Sequence, residues 1–138
     1  MGRILAIDYG KKRCGLAVTD PYKMIATALS SVETKQLFQF IETYIKKEQV
    51  ETIVIGEPKH KDGMPADIMK DIVHFAGKLR NLFPLIPVQF MDERYTSKIA
   101  TQTMIMAGYK KKDRMKKDNI DRISAVLILQ SFLESIKR

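Results

Sequence analysis

The chain has 138 residues, of which 45% are hydrophobic and 29% charged, and it carries a formal net charge of +8. That length fits one domain, residues 1–138, with a core of its own, and no apolar run is long enough to cross a bilayer. The lone cysteine, Cys14, excludes an internal disulfide, and the Met-Gly-Arg start lacks an apolar leader, so a cytoplasmic location without membrane attachment is expected.

Residues 3–8 and 14–19 read as two strands joined by a Gly- and Lys-rich turn, a β-hairpin signal. Pro21 ends the second, and residues 25–32 predict a third. From Thr34 to Lys47 the apolar positions Leu37, Phe38, Ile41, Tyr44 and Ile45 recur at helical spacing. Residues 52–56, "TIVIG", are wholly apolar, as in a strand buried on both faces. Residues 57–65 form a loop, and Pro65 suits the first turn of a helix carried by Ile68, Ile72, Phe75, Ala76 and Leu79. "VQFM", 88–91, is the next strand. A helix is expected from Ser97 to Ala107, stopped by Gly108, and a final one from Asn119 to Lys137. The order β-β-β-α-β-α-β-α predicts an α/β fold. The opening hairpin requires antiparallel pairing and the helical crossovers parallel pairing, giving a mixed sheet with helices on both faces.

The charge is uneven. Lys98, Lys110, Lys111, Lys112, Arg114, Lys116 and Lys117 face one acid, Asp113. Such a run fits either a solvated loop or a contact to nucleic-acid phosphates.

Several acids stand at the ends of elements. Asp8 closes the first strand, Asp92 and Glu93 follow the last, and Asp121 opens the apolar stripe Ala125, Ile128, Phe132, with Asp118 three residues earlier. Singly, each suits a turn or helix-capping role. Together they can converge on one sheet edge. Two carboxylates at about 4 Å repel by about 4 kcal/mol in a dielectric near 20, so a cluster needs protons or a cation. Oxygen ligands without cysteine or paired histidine point to Mg²⁺ or Mn²⁺, and two such ions suit phosphodiester hydrolysis. Cys14 has no histidine motif beside it, with only His60 and His74 in the chain.

Four segments, "AIDYGKKRCGLAVTD" (6–20), "IVIGEPKHKDG" (53–63), "MDERYTS" (91–97) and "NIDRISAVLILQSFL" (119–133), resemble the YqgF/RuvX family of the ribonuclease H-like superfamily. The resemblance covers almost the whole chain in order. It implies a ribonuclease H-like, five-stranded mixed sheet flanked by helices and a cytoplasmic, divalent-metal nuclease. The family is assigned to maturing the 5′ end of pre-16S rRNA, and earlier to resolving Holliday junctions. Carried over, the catalytic and metal-binding acids are Asp8, Glu93 (with Asp92 as its rival) and Asp121; Asp118 is a further metal candidate from its spacing to Asp121 alone. Arg13, in Gly10-x-x-Arg-x-Gly15, takes a substrate role. Arg94, Thr96 and Ser97 complete the third motif, and Lys110, Lys111 and Lys112 are the backbone-contact candidates. Gly56-Glu57-Pro58 and Asp62-Gly63 keep the loop motif.

Two other classes share features with the chain. Actin-like ATP-binding proteins use a similar Asp-x-Gly hairpin but need two such domains. A P-loop fails because Leu16-Ala17 stand where Lys-Ser/Thr belong. A catalytically inactive RNA-binding module is the remaining alternative, and retention of all three acids argues against it. The expected partners are nucleic acid, pre-rRNA ahead of a DNA junction, and ribosomal precursor particles. No long apolar patch announces a dimer interface, which favours a monomer.

Overall fold

The computed structural model describes residues 2–57, 66–92 and 117–136, and for Ala66, Asp67, Asp92 and residues 117–121 the backbone alone. Strand β1 (Arg3–Asp8) turns into β2 (Arg13–Thr19) and then β3 (Ala26–Glu33), each pairing antiparallel with its predecessor. Helix α1 (Thr34–Lys47) leads to β4 (Val50–Glu57), which lies parallel to β1. Helix α2 (Ala66–Leu82) leads to β5 (Val88–Asp92), parallel to β4, and helix α3 (Lys117–Ile136) follows. The strands form one mixed sheet in the order β3-β2-β1-β4-β5.

This is the predicted element order, with differences of one or two residues at most ends. β4 starts earlier than expected, at Val50, and the last helix opens at Lys117. Asp118 therefore lies inside the helix rather than capping it. The expected helix 97–107, its stop at Gly108 and the basic run up to Lys116 lie outside the described residues, as does the loop 58–65.

The sheet has a core on each face. Leu5, Ile7, Cys14, Leu16, Val18, Ile53, Ile55 and Val88 pack with Leu37 and Ile41 of α1 and Ile72, Phe75, Ala76 and Leu79 of α2. Ile4, Ala6, Ala17 and Val54 pack on the other face with Ala125, Ile128, Leu129, Phe132 and Leu133 of α3. Side chains alternate along a strand, so the middle of β1 and β4, covered on both faces, must be apolar at successive positions. That is why "ILAI" and "IVI" are unbroken apolar runs. Burial of each Ile or Leu contributes about 1.5–3 kcal/mol. Among the described residues the middles of the central strands are therefore strongly held in the core.

Candidate active site

Asp8 is the last residue of β1 and is half-buried. Leu5 and Ile7 belong to the α1–α2 face, whereas Ile4 and Ala6 belong to the α3 face. Alternation therefore puts Asp8 on the α3 face. Across the sheet Asp8 pairs with Gly15. The parallel register that sets Ile7 opposite Ile55 puts Gly56 on its other side. Neither lateral neighbour has a side chain, so only backbone borders the Asp8 carboxylate on its two sides along the sheet. Arg13 shares this face by the same parity, since Cys14 and Leu16 point the other way.

The turn after Asp8 is pinned to the start of α1. The Thr34 hydroxyl donates to the Gly10 carbonyl at 2.7 Å. The Thr34 N–H donates to the Lys12 carbonyl at 2.9 Å, which satisfies one orphan donor of the helix. The Cys14 sulfur lies 3.5 Å from the Gly10 nitrogen and 3.4 Å from the Thr34 hydroxyl. A Cβ on Gly10 would lie 2.4 Å from the Arg13 carbonyl oxygen, so this position needs glycine for a close backbone approach. Lys11, Lys12 and Arg13 are held by this turn. With Glu33 and Lys35 they line an open groove of about 390 Å³.

The other candidate acids stand as follows. Asp92 ends β5, paired with Glu57 of β4. Both lie at the same edge of the sheet as Asp8, because β1, β4 and β5 run parallel. Adjacent strands are about 4.8 Å apart, so two strand steps separate the Asp8 and Asp92 backbones by about 10 Å. Phe90 packs with the α1–α2 core and Met91 with the α3 core. The direction of α3 follows from its far end. Gln130, Leu133 and Glu134 line a cavity with Met24, Ile25 and Ala26, and Ala26 pairs with Thr19 at the end of the sheet away from Asp8. The start of α3, with Asp118 and Asp121, therefore points toward the Asp8 edge. Glu93, Arg94, Thr96, Ser97, Lys110, Lys111 and Lys112 lie outside the described residues. Among the described residues no three His, Cys, Asp or Glu side chains form a metal-sized cluster.

Cys14 is buried toward the α1–α2 core and is no ligand beside Asp8. His74 also lies away from Asp8, in a cavity of about 210 Å³ with Tyr9, Thr34, Lys35, Phe38, Asp71, Phe75 and Lys78. Among the described residues neither Cys14 nor His74 stands on Asp8's face, and a carboxylate oxygen there suits a hard cation. Sequence reasoning singled out none of the polar residues of that second cavity. They come from three separate elements, and only Tyr9, next to Asp8, carried a positional hint.

The chain has the fold of the ribonuclease H-like nucleases. It aligns with Thermus thermophilus RuvC in complex with a Holliday junction substrate at a TM-score of 0.61 and 14% identity, over 99% of this chain and 97% of that one. A second Thermus thermophilus RuvC structure aligns at 0.52 and 12% identity, over 98% and 96%. Those identities establish the fold alone. Residues 2–135 match the family described as "RuvX: Holliday junction resolvase", and the chain belongs to that family. Relatives named "Putative pre-16S rRNA nuclease" include one from Phocaeicola vulgatus, 53% identical over 99% of each chain. Another, from Porphyromonas gingivalis, is 47% identical over the full length of both. Among the described residues no helix is long and apolar enough to cross a membrane.

Proposed function

We propose that the chain is a single-domain, metal-dependent nuclease that hydrolyses phosphodiester bonds at the 5′ end of pre-16S rRNA, acting in the cytoplasm on ribosomal precursors. The observation that carries this reading is the placement of Asp8. It is a half-buried carboxylate at the end of the central strand, flanked by Gly15 and Gly56. A carboxylate on the end of a buried central strand is a suitable mount for a metal ion. The direction of α3 supports Asp121, with Asp118 behind it, as the acid opposite. Of the two acids at this strand end, Glu93 is two residues beyond Met91, which packs on the α3 side. Alternation continued past β5 would turn Glu93 rather than Asp92 to that side, and Glu93 is proposed as the third ligand with Asp92 as its rival.

Asp8, Glu93 and Asp121 would hold Mg²⁺ or Mn²⁺, as two ions. When bound, such ions supply an activated water and neutralise the leaving oxygen. The chain's own residues do the rest. Asp8, Glu93 and Asp121 would fix the cations beside the scissile phosphate. Arg13, on Asp8's face, and Arg94 neutralise phosphate oxygens. Thr96 and Ser97 donate to the backbone, and Lys110, Lys111 and Lys112 hold the flanking strand. Phosphate contacts of this kind position the substrate without reading its sequence.

The test incubates purified protein with Mn²⁺ and either precursor 16S rRNA or a synthetic four-way DNA junction, and maps the cuts. Cleavage at the rRNA 5′ end is expected. Asp8→Asn, Glu93→Gln and Asp121→Asn should each abolish it, whereas Asp92→Asn should only lower it. Paired symmetric cuts in the junction, with the rRNA intact, would overturn the substrate assignment. Equal RNA binding with and without metal, and no cutting of either substrate, would identify a binding module instead.

A further inference from the structure

We infer that the cavity between α1 and α2, on the sheet face opposite Asp8, is a binding subsite for single-stranded nucleic acid flanking the cleavage point. This rests on the nuclease reading above and adds that the substrate has an unpaired flank. Asp8 and Tyr9 are consecutive, and they leave the edge of the sheet toward opposite faces. Tyr9 lines the cavity with Thr34, Lys35, Phe38, His74 and Lys78. Its ring packs against Phe75 at a centroid distance of 5.4 Å, and Phe38 meets Phe75 edge-on at 6.3 Å. Phe75 is buried, whereas Tyr9 and Phe38 are half-buried, so these two rings are the ones partly open to solvent in the cavity. The Lys78 ammonium is held 4.7 Å over the Phe38 ring.

The second observation is continuity of charge. Lys35 lines both this cavity and the groove of Lys11, Lys12 and Arg13. The two hollows therefore form one track that leaves the Asp8 edge over the β1–β2 turn and ends between the helices. Along it Lys11, Lys12, Arg13, Lys35 and Lys78 outnumber Glu33 and Asp71. A basic groove leading to partly exposed aromatic rings is a combination that suits single strands, with cations on the phosphates and rings under the bases. A duplex cannot offer its bases to Tyr9. The track thus favours a substrate with an unpaired tail over a four-way junction of duplex arms. Asp71 is the acid facing this cavity, and it opposes the binding.

The experiment measures binding of a labelled single-stranded RNA of about 12 nucleotides, within the range that one such groove holds, and of a duplex. Both are measured in chelator, so that cleavage plays no part. Lys35→Ala with Lys78→Ala should weaken single-strand affinity about ten-fold. It should also reduce the slope of log affinity against log salt by about 0.7 for each phosphate no longer neutralised, while duplex affinity changes less. Asp71→Asn should tighten single-strand binding, a gain that a misfolded variant cannot imitate. Unchanged affinities in both variants, or equal losses for single strand and duplex, would overturn the subsite. Because the readout needs no catalysis, failure of the nuclease reading would leave this result intact, and the reverse also holds.

Discussion

Asp8 and Tyr9 illustrate how much one residue's parity decides. A shift of one position in β1 would turn the carboxylate into the α1–α2 core and bring an aromatic ring to the position between Gly15 and Gly56. The apolar run before Asp8 prevents that slip, because Ile4 and Ala6 fit α3 while Leu5 and Ile7 fit α1 and α2. Ser124 shows the opposite situation. It is 1% exposed, and its hydroxyl has no hydrogen-bond partner among the described residues. A buried, unsatisfied hydroxyl costs about 1–3 kcal/mol. Ser124→Ala should therefore stabilise the protein, by about 1 kcal/mol after allowing for relaxation. Urea unfolding midpoints of parent and variant decide this, and a drop in the variant's midpoint would mean that the hydroxyl is bonded after all. Ser124 is three residues beyond Asp121, so the same variant also asks whether the α3 end near the site trades stability for function.

At the scale of elements, the connection between β2 and β3 is organised by one carboxylate. Asp20 accepts the N–H groups of Met24 and Ile25 at 2.8 Å each and that of Tyr22 at 3.2 Å. Lys23 adopts φ 59°, the left-handed conformation the turn requires. The Ile25 N–H, with those of Met24 and Tyr22, holds the Asp20 carboxyl below its usual range. The unfolded chain, with an Asp pKa of about 3.9, takes up its proton at higher pH than the folded chain does. The stabilisation is thus present above about pH 4 and lost as pH falls through the folded value. Asp20→Ala should lower the denaturant midpoint at neutral pH. The gap between parent and variant should narrow on acidification below about pH 4, the unfolded Asp value. A gap independent of pH would mean that the loop is held by its backbone alone.

On the scale of the whole molecule, a net charge of +8 steers any polyanion toward the protein, and the affinity must fall with salt. Two basic regions contribute, the described track through Lys12 and Lys35 and the run Lys110 to Lys117. Replacing Lys110, Lys111 and Lys112 with alanine should weaken binding equally across sequences. It should flatten the salt dependence on a duplex by up to about 0.9 log units for each phosphate left without its cation. Titrations across a series of salt concentrations give the slope directly, and an unchanged slope would assign the run to solvent. The two regions are separable, because variants in the α1–α2 track should discriminate against single strands whereas this triple variant should not.

Much of this architecture is legible in the sequence because burial is written in local periodicity. The unbroken "ILAI" and "IVI" runs announced central strands, the spacing of Leu37, Ile41 and Tyr44 announced a helix, and Asp8 stood at a strand end where no apolar core residue would. The stripe Ala125, Ile128, Phe132 was readable before the fold was known and is buried against the sheet. Other features depend on proximity between residues far apart in the chain, which periodicity does not record. That Gly15 and Gly56 flank Asp8 follows from strand register, antiparallel on one side and parallel on the other. That Tyr9, Lys35, His74 and Lys78 share one cavity follows from α1 and α2 packing side by side on one sheet face. Pairing and packing are set by the summed fit of many side chains, so polar residues on separate elements gain a common role only when the sheet assembles.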